Sequence, residues 1–167
     1  MLILYAVQTL GPHDSQSAGA IGIALYALHN LLYAVGSYPT GVLADRFGKG
    51  GFLLAAYALA AFMNLILIVA APTVVTLVVV FALAGAGYAL QQSLERAIAA
   101  DLAPVEVRST AFGALASANG VGDFVSSAIV GTLWTMVSPT AGFWYALILS
   151  AAGAVLTGAA LRGVGRS

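Results

Sequence analysis

The sequence predicts an all-α integral membrane protein with five transmembrane helices and a truncated N-terminal helix. Of its 167 residues, 61% are hydrophobic and 7% are charged, and the mean hydropathy is +0.99. Soluble domains are about a quarter charged, so this composition is typical of a chain embedded in a bilayer. The apolar residues also form stretches of bilayer-spanning length, about 20 residues each, separated by short groups of turn residues.

These stretches define a single transmembrane domain over residues 1–167. Residues 1–10 are apolar but span only about 15 Å as a helix, half of a bilayer, which predicts the tail of a truncated helix. After a turn-rich segment, complete spans are predicted at 18–44, 51–71, 73–101, 109–137 and 140–161. The third complete span is longer than the hydrocarbon core, so we expect its polar far end to project from the bilayer.

A polar stretch at residues 41–50, with the sequence GVLADRFGKG, separates the first two complete spans. Pro39 precedes it and lacks a backbone donor, so we expect a kink in the last turns of that helix. Three glycines and three charged residues then predict a short polar loop between two membrane helices.

The basic residues predict the orientation of the chain in the membrane. With five spans and alternating connections, all six fall on one side, and the opposite connections hold only His13 and Asp14 as ionisable groups. The positive-inside rule makes the basic side cytoplasmic and places the C-terminus inside, as in a multi-pass protein of a bacterial inner membrane. The basic residues are Arg46, Lys49, Arg96, Arg108, Arg162 and Arg166.

Composition and spacing argue against several classes of function. The chain has no cysteine, and its formal net charge is zero, so neither a thiolate metal site nor a nucleic-acid surface is expected. The two histidines, His13 and His29, have no carboxylate at a metal-binding helical spacing. No nucleophile and base set or phosphate loop stands out, so we expect neither an enzyme nor a cofactor-binding protein.

Residues 41–49 resemble the G-x-L-A-D-R-x-G-R/K signature of the major facilitator superfamily, which joins the second and third helices of each six-helix half. The order of the spans around it is similar to the C-terminal half of such a transporter with most of its first helix missing. The segments 95–104 and 108–113 resemble the end of the tenth helix and the start of the eleventh. One departure is that Gly50 and Gly51 follow Lys49, where the family often adds basic residues.

The resemblance implies a secondary transporter that moves a small solute by rocking two halves around a midplane site. One half holds part of that site, so the chain is expected to be a fragment that does not transport alone. Its partners are then the lipid bilayer, the solute, and a missing N-terminal half. Two alternatives remain open: a small complete transporter in which a second copy replaces the other half, and a non-transporting scaffold or receptor.

The charged residues near three helix ends form the first candidate site, a conformational latch. Arg46 is expected to pair with Glu95 across helices, and Arg96 or Arg108 to pair with Asp45 or Asp101. The alternative is a solvated loop whose charges only set topology. The residues assigned to this motif and gate are Gly41, Asp45, Arg46, Gly48, Lys49, Glu95, Arg96 and Arg108.

The polar residues inside the spans form the second candidate site. Asp123 is the one carboxylate predicted well inside a span, and its insertion costs a few kcal/mol, so it should face protein or water. It is interpreted as a substrate or proton site, or alternatively as a carboxyl that hydrogen-bonds neighbouring helices. The remaining candidates are interpreted as cavity lining, or alternatively as residues that hydrogen-bond between helices. They are Asn119, Tyr26, Asn30, Tyr33 and Gln91.

Two glycine pairs, Gly85 with Gly87 and Gly120 with Gly122, are each spaced two residues apart within predicted spans. Glycine lets helix backbones approach closely inside a membrane. We therefore expect both pairs to lie at close helix contacts.

Overall fold

A computed structural model describes residues 2–11 and 15–164, and this part of the chain folds into six α-helices and one short 3₁₀ turn, with no strand. The predicted all-α membrane class is confirmed. His13, Asp14 and Arg166 lie outside the described residues. The helices are α1 (Leu2–Leu10), α2 (Ser15–Phe47), α3 (Lys49–Val69), α4 (Val74–Leu102), α5 (Arg108–Met136) and α6 (Pro139–Val164), with the 3₁₀ turn at Val105–Val107.

The connection between α2 and α3 is far shorter than the loop predicted at residues 41–50. Helix α2 continues through Pro39 to Phe47, and α3 begins at Lys49, so Gly48 alone separates them. Gly48 has a φ of 97°, a conformation that residues with a Cβ rarely adopt. The loop prediction was wrong because one glycine in this conformation is enough to end a helix, and the other glycines remain helical.

The other connections follow ordinary helix-end chemistry. The hydroxyl of Thr73 caps α4 by accepting a hydrogen bond of 3.2 Å from the amide of Thr76. Pro104 follows α4 and cannot continue it, and the 3₁₀ turn leads directly into α5. Because these links are short, consecutive helices run in opposite directions.

Four of the described helices, namely α2, α3, α4 and α6, are long and apolar enough to cross a membrane. Helix α5 has 29 residues, which is also sufficient for a crossing. Its sequence is more polar, because Asn119, Asp123 and several serines interrupt its apolar residues. The fourth predicted span, 109–137, therefore exists as a helix of membrane length but has a mixed surface.

Helix packing is uneven across the bundle. Helix α2 packs along α4, and α3 packs along α6, whereas α5 has lighter contacts with α4 and α6. At the α2–α4 crossing, a Cβ added to Gly85 would lie 2.5 Å from the carbonyl oxygen of His29. A side chain there would displace the neighbouring backbone, so this glycine confirms the expected close approach. Gly87 makes only an ordinary contact, 3.5 Å from Leu59.

The second glycine pair does not behave as predicted. Among the described residues, nothing lies within 4 Å of a Cβ built on Gly120 or Gly122. The expectation of a close helix contact was wrong for this pair, because no helix among the described residues approaches within 4 Å of either position.

The two ends of the bundle differ in chemistry. At one end, which we call the aromatic end, Tyr5, Trp134 and Phe143 pack edge to face with ring centroids 5.0–6.1 Å apart. The indole nitrogen of Trp134 also donates a 3.2 Å hydrogen bond to Gln8. The other end, the charged end, carries Asp45, Lys49, Asp101 and Arg108 at the ends of α2 to α5.

Candidate functional site

A cavity of about 620 Å³ lies between α4 and α5, on the charged-end side of their midpoints. It is lined by polar and apolar residues of both helices. The α5 residues recur three or four positions apart and so share one face of that helix. The lining residues are Gln92, Glu95, Arg96, Phe112, Leu115, Ala116, Asn119, Gly120 and Asp123.

Glu95 joins the two helices at this cavity. Its carboxylate accepts a 2.8 Å hydrogen bond from the side-chain amide of Gln91 on its own helix. It accepts a second one, also 2.8 Å, from the side-chain amide of Asn119 on α5. The Glu95–Asn119 hydrogen bond is thus a polar clasp between α4 and the lightly packed α5.

Tyr33, Tyr88 and Asp123 lie near the middles of three different helices. Tyr88 is the central residue of α4, and Asp123 is one residue beyond the centre of α5. Tyr33 lies two residues beyond the centre of α2. In a membrane-spanning helix, the central residues lie close to the bilayer midplane.

An aromatic row runs along α2 and α4 beside this level. The rings of Tyr33 and Tyr88 are 5.2 Å apart and inclined at 59°, and the His29 ring lies 6.0 Å from that of Tyr88. The ring of Tyr26 stacks 6.3 Å from that of His29. Tyr26 and Tyr88 are 51% and 44% exposed, whereas His29 and Tyr33 are half-buried.

The polar residues of α2 make hydrogen bonds within their own helix. The Asn30 side-chain amide donates to the Tyr26 carbonyl at 2.8 Å, and the Ser37 hydroxyl donates to the Tyr33 carbonyl at 2.6 Å. Neither side chain bonds a neighbouring helix in the described part of the chain. Tyr26 and Asn30 are exposed, whereas Tyr33 and Ser37 are half-buried, and the Ser93 hydroxyl of α4 donates to the Ser37 carbonyl at 3.4 Å. The two interpretations of these residues, cavity lining and hydrogen bonding between helices, both stay predictions.

Asp123 lies at the edge of the cavity, one helical turn from Asn119. Within residues 2–11 and 15–164, its carboxylate has neither a hydrogen bond nor an ion pair, and it is exposed. The alternative of a carboxyl that hydrogen-bonds its neighbouring helices is therefore not what this structure shows.

At the charged end, Lys49 connects three helices. Its ammonium group lies 3.4 Å from the Asp45 carboxylate at the end of α2 and 2.5 Å from the Asp101 carboxylate at the end of α4. Both ion pairs found in the described residues use this lysine. The break at Gly48 makes Lys49 the first residue of α3, which places its side chain between the ends of α2 and α4.

The predicted arginine pairs are not formed. The Arg46 guanidinium lies 5.6 Å from the ring of the adjacent Phe47, at the end of α2. Glu95 bonds Gln91 and Asn119 instead of Arg46. The structure therefore replaces the expected arginine pairs with a lysine bridge.

The remaining motif residues are placed as follows. Gly41 lies inside α2 with no described atom within 4 Å of an added Cβ, and Gly48 forms the break. Arg96 lines the cavity. Arg108 begins α5, and its Nε atom is buried without a partner among the described residues. The apolar cavity residues Phe112, Leu115 and Ala116 were not predicted, although their helical spacing to Asn119 and Asp123 is visible in the sequence.

Comparison with known proteins assigns the fold. A sequence model described as Major Facilitator Superfamily matches residues 1–164, nearly the whole chain. The chain belongs to the major facilitator superfamily. This confirms the resemblance of residues 41–49 and identifies a multi-pass membrane protein of a transporter family.

A curated relative shows how much of a longer transporter this chain matches. An uncharacterized MFS-type transporter of Methanocaldococcus jannaschii is 34% identical over 148 residues, which cover 89% of this chain and 37% of the relative. The matched region of this superfamily member thus corresponds to little more than a third of that transporter. No solved structure shows a significant match to the chain.

Proposed function

We propose that these helices form one half of a secondary active transporter that moves a small solute by alternating access. The observation that carries the proposal is the cavity between α4 and α5, which is lined by Glu95, Asn119 and Asp123, with Asp123 one residue beyond the centre of α5. Transporters of inverted-repeat design bind their solutes near the bilayer midplane, between two repeats. This polar face is the wall that one half would contribute.

The uncovered surface supports the need for a second half. An exposed carboxylate at mid-helix is costly against lipid, so another protein surface or water is expected to face Asp123. The chain aligns with 37% of its curated relative, which leaves ample length there for a further bundle. The second half is either another part of the same polypeptide or a second copy, and transport requires it.

We further propose that the charged end faces the cytoplasm of a plasma membrane. The basic residues of the described helices, from Arg46 to Arg162, lie at this end. Lys49 contacts Asp101, and a Cβ on Gly50 would contact Leu161, so the ends of α3, α4 and α6 meet there. The positive-inside rule then places the C-terminal end of α6 on the cytoplasmic side.

The aqueous path can be tested without knowing the solute. The 167 residues contain no cysteine, so a thiol introduced by Gly120→Cys is unique among them. We expect it to react with a membrane-impermeant maleimide in the polypeptide as its gene encodes it, assembled in membranes. The physical reason is that thiols react as thiolates, which form in water and not in lipid.

Val155→Cys supplies the matched control. Val155 lies on α6 and is 69% exposed, and Gly120 is exposed as well. We assign the α6 surface around Val155 to lipid. Fast labelling at position 120 with little labelling at position 155 supports the path. Equal, slow labelling of the two would contradict it, because position 120 would then be sealed in protein or lipid. Cross-linking of two identical chains through position 120 would favour the two-copy arrangement.

A further inference from the structure

A groove of about 410 Å³ lies between α3 and α6, away from the cavity between α4 and α5. Along α6 it begins at Ala154, just past the centre of that helix, and ends at Arg162 near its C-terminal end. These two residues are about 12 Å apart along the helix axis at 1.5 Å per residue. One leaflet of hydrocarbon is about 15 Å thick, half of the bilayer core. The groove therefore extends through most of one leaflet, the one at the charged end.

Apolar residues of both helices form the walls of this groove. A Cβ on Gly158 would lie 3.9 Å from Leu54, so α3 and α6 pack in ordinary contact at this level. Ala154 and Ala159 have side chains too short to fill the space beside that contact. Val155 also lines the groove and is 69% exposed, so the groove opens outward. Within a bilayer, such an opening has the same apolar character as the acyl chains around it.

Arg162 gives the groove a positive charge at its outer end. It is exposed and has no ion pair or hydrogen bond within the described part of the chain. Neither α3 nor α6 contains an aspartate or a glutamate, so no carboxylate of the two walls competes for it. Lys49 is the one other charged residue of these helices, and it contacts Asp45 and Asp101. The Arg162 guanidinium is thus available, and its fork of donors matches the oxygens of a phosphate.

We propose that this groove binds one anionic phospholipid of the charged-end leaflet, with its phosphate on Arg162 and an acyl chain along Gly158 and Ala154. The proposal goes beyond transport, because it requires only that the helices span a membrane. An anionic headgroup is favoured over a zwitterionic one, since Arg162 attracts its net charge and is not repelled by a headgroup amine. The groove then selects a lipid by headgroup, which an uncharged apolar surface does not do.

Photo-cross-linking tests the position and the headgroup together. The gene-encoded polypeptide is reconstituted into phosphatidylcholine vesicles that contain a trace of either phosphatidylglycerol or phosphatidylcholine with a diazirine in one acyl chain. After irradiation, mass spectrometry of proteolytic fragments measures the labelling of the segments around Leu54 and Gly158. We expect phosphatidylglycerol to label them about fivefold more than phosphatidylcholine, the usual contribution of one basic residue near an anionic headgroup.

Substitutions test the headgroup and the acyl chain separately. Arg162→Gln should lower labelling by phosphatidylglycerol about fivefold, to the level of phosphatidylcholine, whereas Arg162→Lys, which keeps the charge, should retain most of it. Arg46→Gln is the matched control, because Arg46 is exposed at the same end but lies on α2, outside the groove.

Ala159→Leu should reduce labelling of the groove segments by both lipids, because the longer side chain occupies the space of the acyl chain. Ala160→Leu is the control for this change. Ala160 is exposed at the same depth on α6 but does not line the groove, so its substitution should leave the labelling unchanged.

Equal labelling by the two lipids, or unchanged labelling in Arg162→Gln, would overturn the proposal, because the contacts would then be those of any lipid around the bundle. Equal losses in Arg162→Gln and Arg46→Gln would assign the selectivity to net charge and also overturn it. Cross-links from the protein to another chain in place of lipid labelling would show that protein covers the groove. If Arg162→Gln elutes as an aggregate in gel filtration, high salt should equalise the two lipids on the unaltered protein, and persistent selectivity would contradict the role of Arg162.

Discussion

The aromatic end and the charged end of this bundle are held together in different ways. The two clusters of buried apolar residues both lie in the half of the bundle towards the aromatic end. One contains Ala6, Leu25, Leu77 and Phe81, and the other contains Leu67, Val80 and Phe143. Close-packed side chains of this kind interlock over a large area and do not exchange partners easily.

The charged half also depends on directional polar contacts. The cavity separates α4 from α5 there, and the Glu95–Asn119 clasp and the Lys49 bridge connect the helices around it. Such contacts break when water or another charge replaces one partner, because their energy depends on geometry and screening. We therefore expect α5 to move so that the charged end opens, while the aromatic end acts as the pivot.

The largest effect is expected from disturbing the packed half at Gly85. Gly85→Ala would place a Cβ 2.5 Å from the His29 carbonyl oxygen, so α2 and α4 must separate. We expect a loss of about 1–3 kcal/mol in stability, the usual scale of overpacking. The measurement is the melting temperature and the yield of monodisperse protein in detergent.

Gly122→Ala is the matched control, because it makes the same chemical change on α5 where no described atom lies within 4 Å. Both substitutions gain about 1 kcal/mol of helix propensity, so their difference isolates the helix contact. Equal melting temperatures for the two variants would show that the α2–α4 crossing tolerates separation, and the contrast between the ends would fail.

A smaller effect is expected from removing the clasp between α4 and α5. Asn119→Ala deletes one of the two hydrogen bonds to Glu95, and we expect a loss of about 1 kcal/mol, typical of polar contacts between membrane helices. The measurement is again thermal unfolding in detergent. Asn30→Ala should have less effect, because the Asn30 amide bonds a carbonyl of its own helix. A larger loss for Asn30→Ala would contradict the assignment of Asn119 as the clasp.

Lys49→Met is expected to have the smallest effect on stability. It should, however, make the charged end of the bundle open more readily. The Lys49 bridge lies at the exposed charged end, so its removal should leave the melting temperature nearly unchanged. Without the bridge, the ends of α2 and α4 separate more readily, and Gly120→Cys should label faster. High salt should produce the same acceleration in the protein that keeps Lys49, because it screens exposed ion pairs.

Arg162→Met removes a positive charge from the same end without touching the bridge. Its labelling rate should match that of the parent protein carrying Gly120→Cys. If Lys49→Met and Arg162→Met accelerate labelling equally, the cause is net charge, and the bridge has no role as a latch.

The sequence by itself determined the membrane class, the helix count and the family. Composition and the length of the apolar runs require a bilayer, and residues 41–49 carry the family signature in a contiguous segment. Asp123 could also be picked out as a candidate site residue from the sequence, because ionisable residues are rare within long apolar helices. These features depend on local order along the chain, which the sequence displays directly.

Only the tertiary structure decided which groups meet. The pairing of Lys49 with Asp101, and of Asn119 with Glu95, depends on how three helices rotate and slide against one another, and spacing along the chain does not fix either motion. The same holds for the glycines: Gly85 lies against a backbone carbonyl, whereas Gly120 faces open space. A glycine permits close approach, but the neighbouring helix determines whether the approach occurs.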